Sequence, residues 1–389
     1  MKRDTFGPLA AGFEQAFGGS YAGRRVLVTG HTGFKGSWLV LWLKCLGAEV
    51  SGLALPAEGS LNHSRLLDLP LQQALVDLRD AATVRGAMAR FQPDIVFHLA
   101  AQPLVRRSYR EPVATWDTNV MGLVHVLEAV RATASVRAVV NVTSDKCYQQ
   151  GPQQAAFIET DRLGGHDPYS ASKACAEIVS QSYRASFLAH DDGRGHAVAL
   201  VTARAGNVIG GGDWGEDRLV PDLMRAAAAG RFTAIRSPQA VRPWQHVLDP
   251  LAGYLMLGQR LLDAPGSDGG AWNFGPPAAD HLSVGELVSR LSTQWPAVQC
   301  EVDTRAQPHE AAWLALDCGK ARRELGWRAV WGMDSVLART AHWYRQWYDH
   351  GQLRSHDDLC QYLGDARRLG LPWAAPAQAC AAAVPALAS

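Results

Sequence analysis

The chain of 389 residues is long enough to bury a large core in one domain or two. Its formal net charge is +1 and its Lys and Arg residues are scattered, which excludes the basic surface of a nucleic-acid-binding protein. Its seven cysteines show no paired spacing, which excludes a disulfide framework and a zinc site and favours the cytoplasm, with no metal bound. No apolar run approaches the roughly 20 residues that a membrane-spanning helix needs, and the N-terminus lacks the apolar core of a signal peptide.

Strands and helices are predicted to alternate from residue 24 to residue 203. Short apolar runs indicate strands, and apolar positions at helical spacing indicate helices. In chain order we predict a strand at 24–29, a helix at 37–46, a strand at 48–54, a helix at 80–91, a strand at 95–100, a helix at 112–132, a strand at 138–142, a helix at 167–190 and a strand at 197–203. This order is typical of the α/β class, with a doubly wound parallel sheet of the Rossmann type.

The alternation fades after about residue 207. Helices are predicted at 219–229, 284–295 and 334–350, among Gly- and Pro-rich loops, which indicates a smaller, mixed C-terminal substrate lobe. We therefore divide the chain into an N-terminal extension at 1–20, a Rossmann domain at 21–206, a mainly substrate-binding lobe at 207–350 and a C-terminal segment at 351–389 with an Ala/Pro-rich tail.

A glycine-rich loop, TGHTGFKG at 29–36, lies between the first predicted strand and the first predicted helix. Glycines there allow a tight turn and let the backbone approach a pyrophosphate at the helix N-terminus, although glycines also form ordinary turns. The second strand end, SGLAL at 51–55, offers neither a carboxylate for a ribose nor an arginine for a 2′-phosphate, so we favour NAD over NADP. We expect Asp77 to meet the adenine edge; the alternative is that it caps the following helix.

Tyr169 and Lys173 open the helix predicted at 167–190 and share one of its faces. The YxxxK pattern also occurs by chance on solvated helices, but here it follows the strand end at 141–146, an edge where open α/β sheets bind ligands. We expect the ammonium to lower the pKa of the phenol, so that Tyr169 acts as a base toward an alcohol that Ser144 also hydrogen-bonds.

These motifs resemble those of the extended short-chain dehydrogenase/reductase family, on TGHTGFKG, HLAA (98–101), Ser144 and YSASK (169–173). Longer segments resemble the CDP-glucose branch of its sugar-nucleotide 4,6-dehydratases: GHTGFKGSWL (30–39), TSDKCY (143–148), LGGHDPYSASKACAE (163–177), ARAGNVIGGGDW (203–214) and RPWQHVLDP (242–250). The match runs from about residue 20 to about residue 350. It implies NAD as the cofactor and CDP-glucose as the substrate. The implied cofactor contacts are Gly30, Thr32, Gly33, Phe34, Lys35, Gly36, Asp77, Leu78, Ala100, Ala101, Asn119, Val142, Tyr169 and Lys173.

The resemblance also assigns the pair that follows Ser144, which distinguishes a dehydratase from an epimerase. Most sugar-nucleotide 4,6-dehydratases carry Asp-Glu there, whereas this chain and the CDP-glucose branch carry Asp-Lys. We assign Asp145 as the acid for the departing carbon-6 hydroxyl and Lys146 as the base that removes the carbon-5 proton. The base role requires a lowered lysine pKa. The alternative is that Lys146 only orients Asp145 or contacts a phosphate.

Four residues are expected on the substrate side. Asn207 follows a strand end, where its amide can bind the sugar diphosphate, and Gln102 can reach sugar hydroxyls. By resemblance, Arg218 and Arg242 approach the diphosphate or the nucleotide ribose; ordinary surface ion pairs are the alternative.

The helices near 112–132 and 167–190 have apolar faces that the family packs into a four-helix bundle between the subunits of a homodimer. The implied reaction is the dehydration of CDP-glucose to the 4-keto-6-deoxy sugar. The alternatives are another nucleotide-sugar 4,6-dehydratase, a 4-epimerase, and a catalytically silent NAD-binding protein.

Overall fold

A seven-stranded parallel sheet forms the centre of the protein in the computed structural model, which describes residues 12–151, 155–189, 197–264, 269–303 and 313–375. The strands of these residues are β1 (Arg25–Thr29), β2 (Glu49–Ala54), β3 (Gln72–Leu75), β4 (Ile95–His98), β5 (Ala138–Val142), β6 (Ala199–Ala205), β7 (Val208–Ile209), β8 (Thr233–Ile235), β9 (Val241–Arg242), β10 (Gln245–His246), β11 (Ala271–Phe274), β12 (Leu282–Ser283) and β13 (Cys300–Val302). The order across the sheet is β11-β6-β5-β4-β1-β2-β3. The predicted doubly wound sheet is confirmed.

Helices pack on both faces of the sheet because successive side chains of each buried strand point to opposite sides. The α-helices of the described residues are α1 (Phe34–Cys45), α2 (His63–Leu67), α3 (Ala81–Phe91), α4 (Val105–Arg110), α5 (Pro112–Trp116), α6 (Gly122–Arg131), α7 (Pro168–Tyr183), α8 (Leu219–Ala228), α9 (Leu248–Asp263), α10 (Val284–Gln294), α11 (Met333–His350) and α12 (Ser355–Arg368). In β1, Val26 and Val28 face the core formed with α1 and α9, whereas Leu27 faces the core formed with α3 and α6.

Two strands of the sheet were not predicted from the sequence. The edge strand β3 reads QQAL and is largely exposed, so it lacks the apolar run that marked the buried strands. The strand β11 comes from the C-terminal half and pairs with β6, so the chain returns to the sheet after leaving it. The short strand pairs β7–β10, β8–β13 and β9–β12, together with α8 and α10, form the smaller mixed part of the fold.

The helix α9 also escaped prediction, because it is buried nearly all round and shows no polar face. It packs against β5 and β6 under the centre of the sheet. The predicted helix at 112–132 is present as α5 and α6, joined by a π-helical turn at Asp117–Met121.

The start of the described chain packs against its end. The ring of Phe17 stacks on Trp373 with centroids 4.9 Å apart, and both rings contact Trp42 of α1. Arg367 adds a hydrogen bond from its guanidinium to the carbonyl of Gly12, at 2.7 Å. The first and last described segments thus cover the same side of α1.

A buried histidine joins α1 and α2 to α12. The imidazole of His63 hydrogen-bonds the hydroxyl of Ser37 through Nδ1 at 2.8 Å and that of Ser355 through Nε2 at 2.7 Å. Burial lowers the pKa of His63 to about 3, because a charged ring at this position would have neither water nor an opposite charge to stabilise it.

The histidine makes stability depend on pH. Between about pH 6.5 and 3 the unfolded chain protonates this ring and the native protein does not, so acidification lowers the free energy of unfolding by about 1.4 kcal/mol per pH unit for this group. We expect His63→Gln to reduce the pH slope of the free energy of unfolding by about that amount, measured by urea denaturation across this range. Ser355→Ala, which removes a hydrogen bond but keeps the histidine, should lower stability and leave the slope unchanged. An unaltered slope in His63→Gln would contradict the assignment.

Candidate active site

The glycine-rich loop has the shape that a pyrophosphate requires. Gly30 has a φ of +74°, and a Cβ there would lie 2.7 Å from the backbone nitrogen of Ala100. A Cβ on Gly36 would overlap the carbonyl oxygen of Gly30, so only glycine lets α1 cross β1 this closely. Gly33 precedes α1 and has no side chain to cap it, which leaves the N–H groups of the first turn for an anion. These residues fit a dinucleotide.

The end of β2 is occupied by a histidine of the loop. The buried ring of His31 packs on Gly52, where a Cβ would come within 2.5 Å of the imidazole, and its Nε2 hydrogen-bonds Gln73 at 3.0 Å. Thr32 donates its hydroxyl to the carbonyl of Leu55 at 3.0 Å. The sequence offers no carboxylate for a ribose at this strand end, and neither His31 nor Thr32 supplies one.

Asp77 does not cap α3. Its carboxylate pairs with Arg79 at 2.6 Å, and the cap is Asp80, which accepts hydrogen bonds from the backbone N–H groups of Ala82 and Thr83. The helix-cap alternative for Asp77 was therefore wrong. Its contact with an adenine edge stays a prediction, as does that of its neighbour Leu78, which packs under Gly122.

Tyr169, Lys173 and Ser144 come together at the carboxyl end of β5. The cap of α7 is Asp167, which accepts a hydrogen bond from the N–H of Ser170 and so starts the helix one residue before Tyr169. All three side chains are buried, and the Ser144 hydroxyl acts on the phenol of Tyr169. Lys173 donates from Nζ to the carbonyl of Val142 at 3.3 Å.

The expected pKa of the tyrosine was wrong in direction. Burial raises the pKa of Tyr169 to about 12, because a phenolate there would lose its water, and the polar side chain of Ser144 offsets only part of this. Burial also lowers the pKa of Lys173 to about 8, opposed by the nearby carboxylate of Glu177. For both groups, desolvation outweighs the contributions of their charged and polar neighbours.

The residues after Ser144 form a tight turn that places an acid in the site. Ser144 caps the 3₁₀ turn at Asp145–Cys147, accepting from the N–H of Lys146 at 3.2 Å and donating to Oδ1 of Asp145 at 3.0 Å. Burial raises the pKa of the Asp145 carboxyl, although the positive charges of Lys146, Arg242 and Lys35 act against this. Its Oδ2 is buried and has no hydrogen-bond partner among the described residues. A carboxyl in this state can donate a proton.

Lys35 extends from the loop into the same cluster. Its Nζ lies 3.4 Å from the hydroxyl of Tyr254, on the unpredicted helix α9. Burial lowers the pKa of Lys35 to about 7, and the charges of Arg218 and Lys173 act in the same direction, whereas Asp145 opposes them. The structure thus brings the loop and the acid–base cluster within electrostatic reach of each other.

The predicted substrate residues differ in their surroundings. Arg242 is buried and acts on the Asp145 carboxyl, whereas Arg218 is one-third exposed and pairs with Asp213 at 2.9 Å. Its charge also acts on Tyr169, so Arg218 lies beside the site and in an ion pair at once. Asn207 is partly buried, and its carbonyl accepts from the N–H of Gln245.

The amide of Gln102 is engaged within its own loop. It accepts from the N–H of Leu104 at 2.6 Å and donates to the hydroxyl of Thr115 at 2.9 Å. Asn119 bridges this loop to α7, donating to the carbonyl of Gln102 and to the hydroxyl of Ser172. Contacts of Gln102 with sugar hydroxyls and of Asn119 with a cofactor stay predictions, together with those of Phe34 and Ala101.

Comparison with known proteins assigns the family. Residues 27–340 match the family model described as GDP-mannose 4,6 dehydratase. The chain belongs to this family. A relative within the wider group, the CDP-glucose 4,6-dehydratase of Salmonella typhimurium, is 46% identical over 330 residues, which cover 84% of this chain and 92% of that protein. The resemblance inferred from the motifs is therefore confirmed.

Solved structures similar to this member of the GDP-mannose 4,6 dehydratase family share its fold. The dTDP-glucose 4,6-dehydratase of Streptomyces venezuelae with NAD bound superposes with a TM-score of 0.71 at 26% identity, covering 85% of this chain and 99% of that one. The UDP-glucose 4-epimerase of Thermus thermophilus in complex with NAD gives 0.70 at 27% identity, covering 82% and 98%.

Neither a cluster of metal-ligating side chains nor a membrane-spanning helix is found in the described ranges. Within them, no three His, Cys, Asp or Glu side chains are grouped so that they would hold a metal ion. None of the helices in these ranges combines the length and the apolar character needed to cross a bilayer.

The close crossing of α1 and β1 can be tested by adding a methyl group. We expect Gly36→Ala to lower the free energy of unfolding by about 2 kcal/mol, because the new Cβ must push the carbonyl of Gly30 aside. Gly86→Ala in α3 is the matched control: nothing lies within 4 Å of the added Cβ, so it should stabilise the protein by about 0.5–1 kcal/mol. Equal effects of the two substitutions in urea denaturation would disprove the close crossing.

Proposed function

We propose that the chain is a CDP-glucose 4,6-dehydratase, an NAD-dependent lyase that converts CDP-D-glucose to CDP-4-keto-6-deoxy-D-glucose and water. The observation that carries this proposal is the placement of Asp145 and Lys146 beside Ser144 and Tyr169, in a chain 46% identical to an enzyme of that name. An alcohol-oxidising site that also has an acid and a base can couple oxidation to elimination.

The residues divide the reaction between them. NAD held by the glycine-rich loop at 29–36 would supply the acceptor for the carbon-4 hydride and its donor to carbon 6, so that no net oxidation occurs. Tyr169, beside Ser144, takes the proton of the carbon-4 hydroxyl as that hydride leaves. This step requires the phenolate form, so a nearby positive charge has to offset the burial that raises the pKa of Tyr169. Lys173, held by the carbonyl of Val142, supplies a buried positive charge that favours the phenolate of Tyr169 before it accepts this proton.

The second half of the reaction belongs to the pair after Ser144. The 4-keto group acidifies the hydrogen on carbon 5, which Lys146 removes as a proton. The bond from carbon 6 to its hydroxyl then breaks, and Asp145 protonates that hydroxyl so that it leaves as water. The raised pKa of Asp145 suits this acid role, because a buried carboxyl keeps its proton to higher pH. Lys146 returns its proton to carbon 5 as carbon 6 accepts the hydride. The proton that Tyr169 took from the carbon-4 hydroxyl replaces, through solvent, the one that Asp145 gave to the departing water, which closes the balance.

The main alternatives are a 4-epimerase, another nucleotide-sugar dehydratase and a silent NAD-binding protein. An epimerase has no elimination to catalyse, so it has no use for a buried acid such as Asp145. Incubating the protein with NAD and CDP-, UDP-, dTDP- and GDP-glucose, followed by the alkaline absorbance of 4-keto sugars, separates all of these. We expect the most 4-keto product from CDP-glucose. The absence of this product with every nucleotide sugar would support the silent NAD-binding protein.

The base assignment has a direct test. We expect Lys146→Met to lower the exchange of the carbon-5 hydrogen with deuterated solvent at least about 100-fold, because a catalytic base contributes about that much. Oxidation at carbon 4 should persist, seen as reduced nicotinamide absorbance in a single turnover. Lys44→Met, a partly exposed lysine at the end of α1, is the control for the loss of a positive charge. Undiminished exchange in the presence of the 4-keto intermediate would refute the base role of Lys146.

We also propose a cytoplasmic homodimer joined by a four-helix bundle of α5–α6 and α7 from each subunit. Large apolar side chains are exposed on these helices: Val113, Trp116 and Met121 on the first, and Ile178 on the second. The two helices pack against each other, so two copies can bury all four side chains at once. The cytoplasmic location rests on the unpaired spacing of the cysteines.

The dimer proposal predicts the effect of a charge in this surface. We expect Ile178→Lys to convert the dimer to a monomer in light-scattering chromatography, because the lysine would be buried at the proposed interface. Phe232→Lys is the control, since Phe232 is also exposed but lies beside β8, outside these helices. A dimer that survives Ile178→Lys, or a monomeric wild-type protein, would refute this interface.

A further inference from the structure

A buried ion pair lies behind the acid–base cluster. Glu177, one helical turn after Lys173 on α7, accepts a hydrogen bond from Arg204 on β6 at 2.7 Å, and both side chains are 4% exposed. Such a pair contributes little to stability for its own sake, because desolvation offsets its attraction. The role of the pair in the structure therefore depends on the groups that its hydrogen bonds hold in place.

The pair binds both ends of the segment Thr143–Tyr148, which carries Ser144, Asp145 and Lys146. At one end, the hydroxyl of Thr143 donates to Oε1 of Glu177. At the other end, Nη1 of Arg204 donates to the hydroxyl of Tyr148 at 2.7 Å.

The second end of the segment, Tyr148, is also held by β11, the last strand of the sheet in chain order. The hydroxyl of Tyr148 donates to Oδ1 of Asn273 on β11 at 2.7 Å, and the guanidinium of Arg204 lies over the Tyr148 ring, 4.8 Å from its centroid. The amide of Asn273 donates in turn to the carbonyl of Phe157 at 2.9 Å. The ion pair therefore binds the segment at two anchors, the hydroxyls of Thr143 and Tyr148. The proposed acid and base, Asp145 and Lys146, lie between these two residues.

We propose that the ion pair of Glu177 and Arg204 is a positioning device for the reaction. It fixes the segment Thr143–Tyr148 against α7 and so sets where Asp145 and Lys146 stand relative to Tyr169. This inference rests on the proposed dehydratase function. Because Tyr169 and Lys173 are built on α7 itself, loosening the segment should impair elimination more than oxidation.

Two threonines provide a matched test. Thr143 and Thr202 are both buried and both donate a hydroxyl to the Glu177 carboxylate, but Thr202 lies on β6 and outside the segment. Valine is similar in size to threonine and removes the same kind of hydrogen bond in each case. The two half-reactions are measured separately, with carbon-5 exchange from CDP-glucose for elimination and reduced nicotinamide from CDP-6-deoxyglucose, which has no carbon-6 hydroxyl to lose, for oxidation.

We expect Thr143→Val to lower carbon-5 exchange about tenfold and to change oxidation less than about twofold, since small misplacement of reacting groups costs that much or more. Thr202→Val should change both by less than about twofold. Equal losses in the two variants, or equal losses of the two half-reactions in Thr143→Val, would show that the pair only stabilises the fold and would overturn the proposal.

The other anchor is tested with tyrosines. Tyr148→Phe should repeat the pattern of Thr143→Val, whereas Tyr21→Phe, which also loses a buried hydroxyl bond at 2.6 Å but far from the segment, should not. Amide hydrogen exchange at Asp145–Cys147 gives a readout without turnover, and we expect it to quicken in Thr143→Val and not in Thr202→Val. If the wild-type protein forms no 4-keto product, the proposed function fails; unchanged amide exchange in Thr143→Val refutes the positioning role by itself.

Discussion

The exclusion of water from the carboxyl edge of the sheet is the constraint on which the rest of the site depends. Lys35, Asp145, Tyr169 and Lys173 are gathered there, and burial is the largest cause of the pKa shift of each. Burial shifts the pKa of each group in the direction that favours its neutral form. Attraction between opposite charges is therefore not the main influence on these pKa values.

The same constraint explains why the surroundings of the site are so fully hydrogen-bonded. A buried carboxylate such as Glu177 needs donors for both oxygens, and it finds two threonines and an arginine. These donors come from β6 and from the segment that follows β5, and Glu177 itself lies on α7. Satisfying one buried charge therefore ties three parts of the chain together, and the site gains its rigidity from this need.

Much of this was predictable from the sequence, for reasons that are visible in the structure. The strands β1, β2, β4, β5 and β6 are short apolar runs, and the loop at 29–36 and the YxxxK pair are local patterns, so each could be read without knowledge of the fold. The helix α9 could not, because burial on all sides removes the polar face that reveals a helix. The strand β11 lies far from β6 in the chain, and only tertiary structure brings Asn273 and Tyr254 to the site.

The pKa of Tyr169 was the clearest failure, and its cause is general. Sequence spacing shows that a lysine and a tyrosine share a helix face, but it does not show how much water either of them keeps. The role of Arg204 was missed for a similar reason. A charged arginine is unusual within a buried strand, and the sequence does not show what it binds. Its partners in the structure, Glu177 and Tyr148, explain its presence there.

The stacking of Phe17 on Trp373 has a consequence for how the protein is made on the ribosome. Trp373, the aromatic ring that covers Phe17 and Trp42, is synthesised about 350 residues after them. At bacterial or eukaryotic elongation rates this delay is on the order of tens of seconds. During that time the outer side of α1 lacks its cover, so the nascent chain is more exposed to chaperones and to aggregation than the finished enzyme.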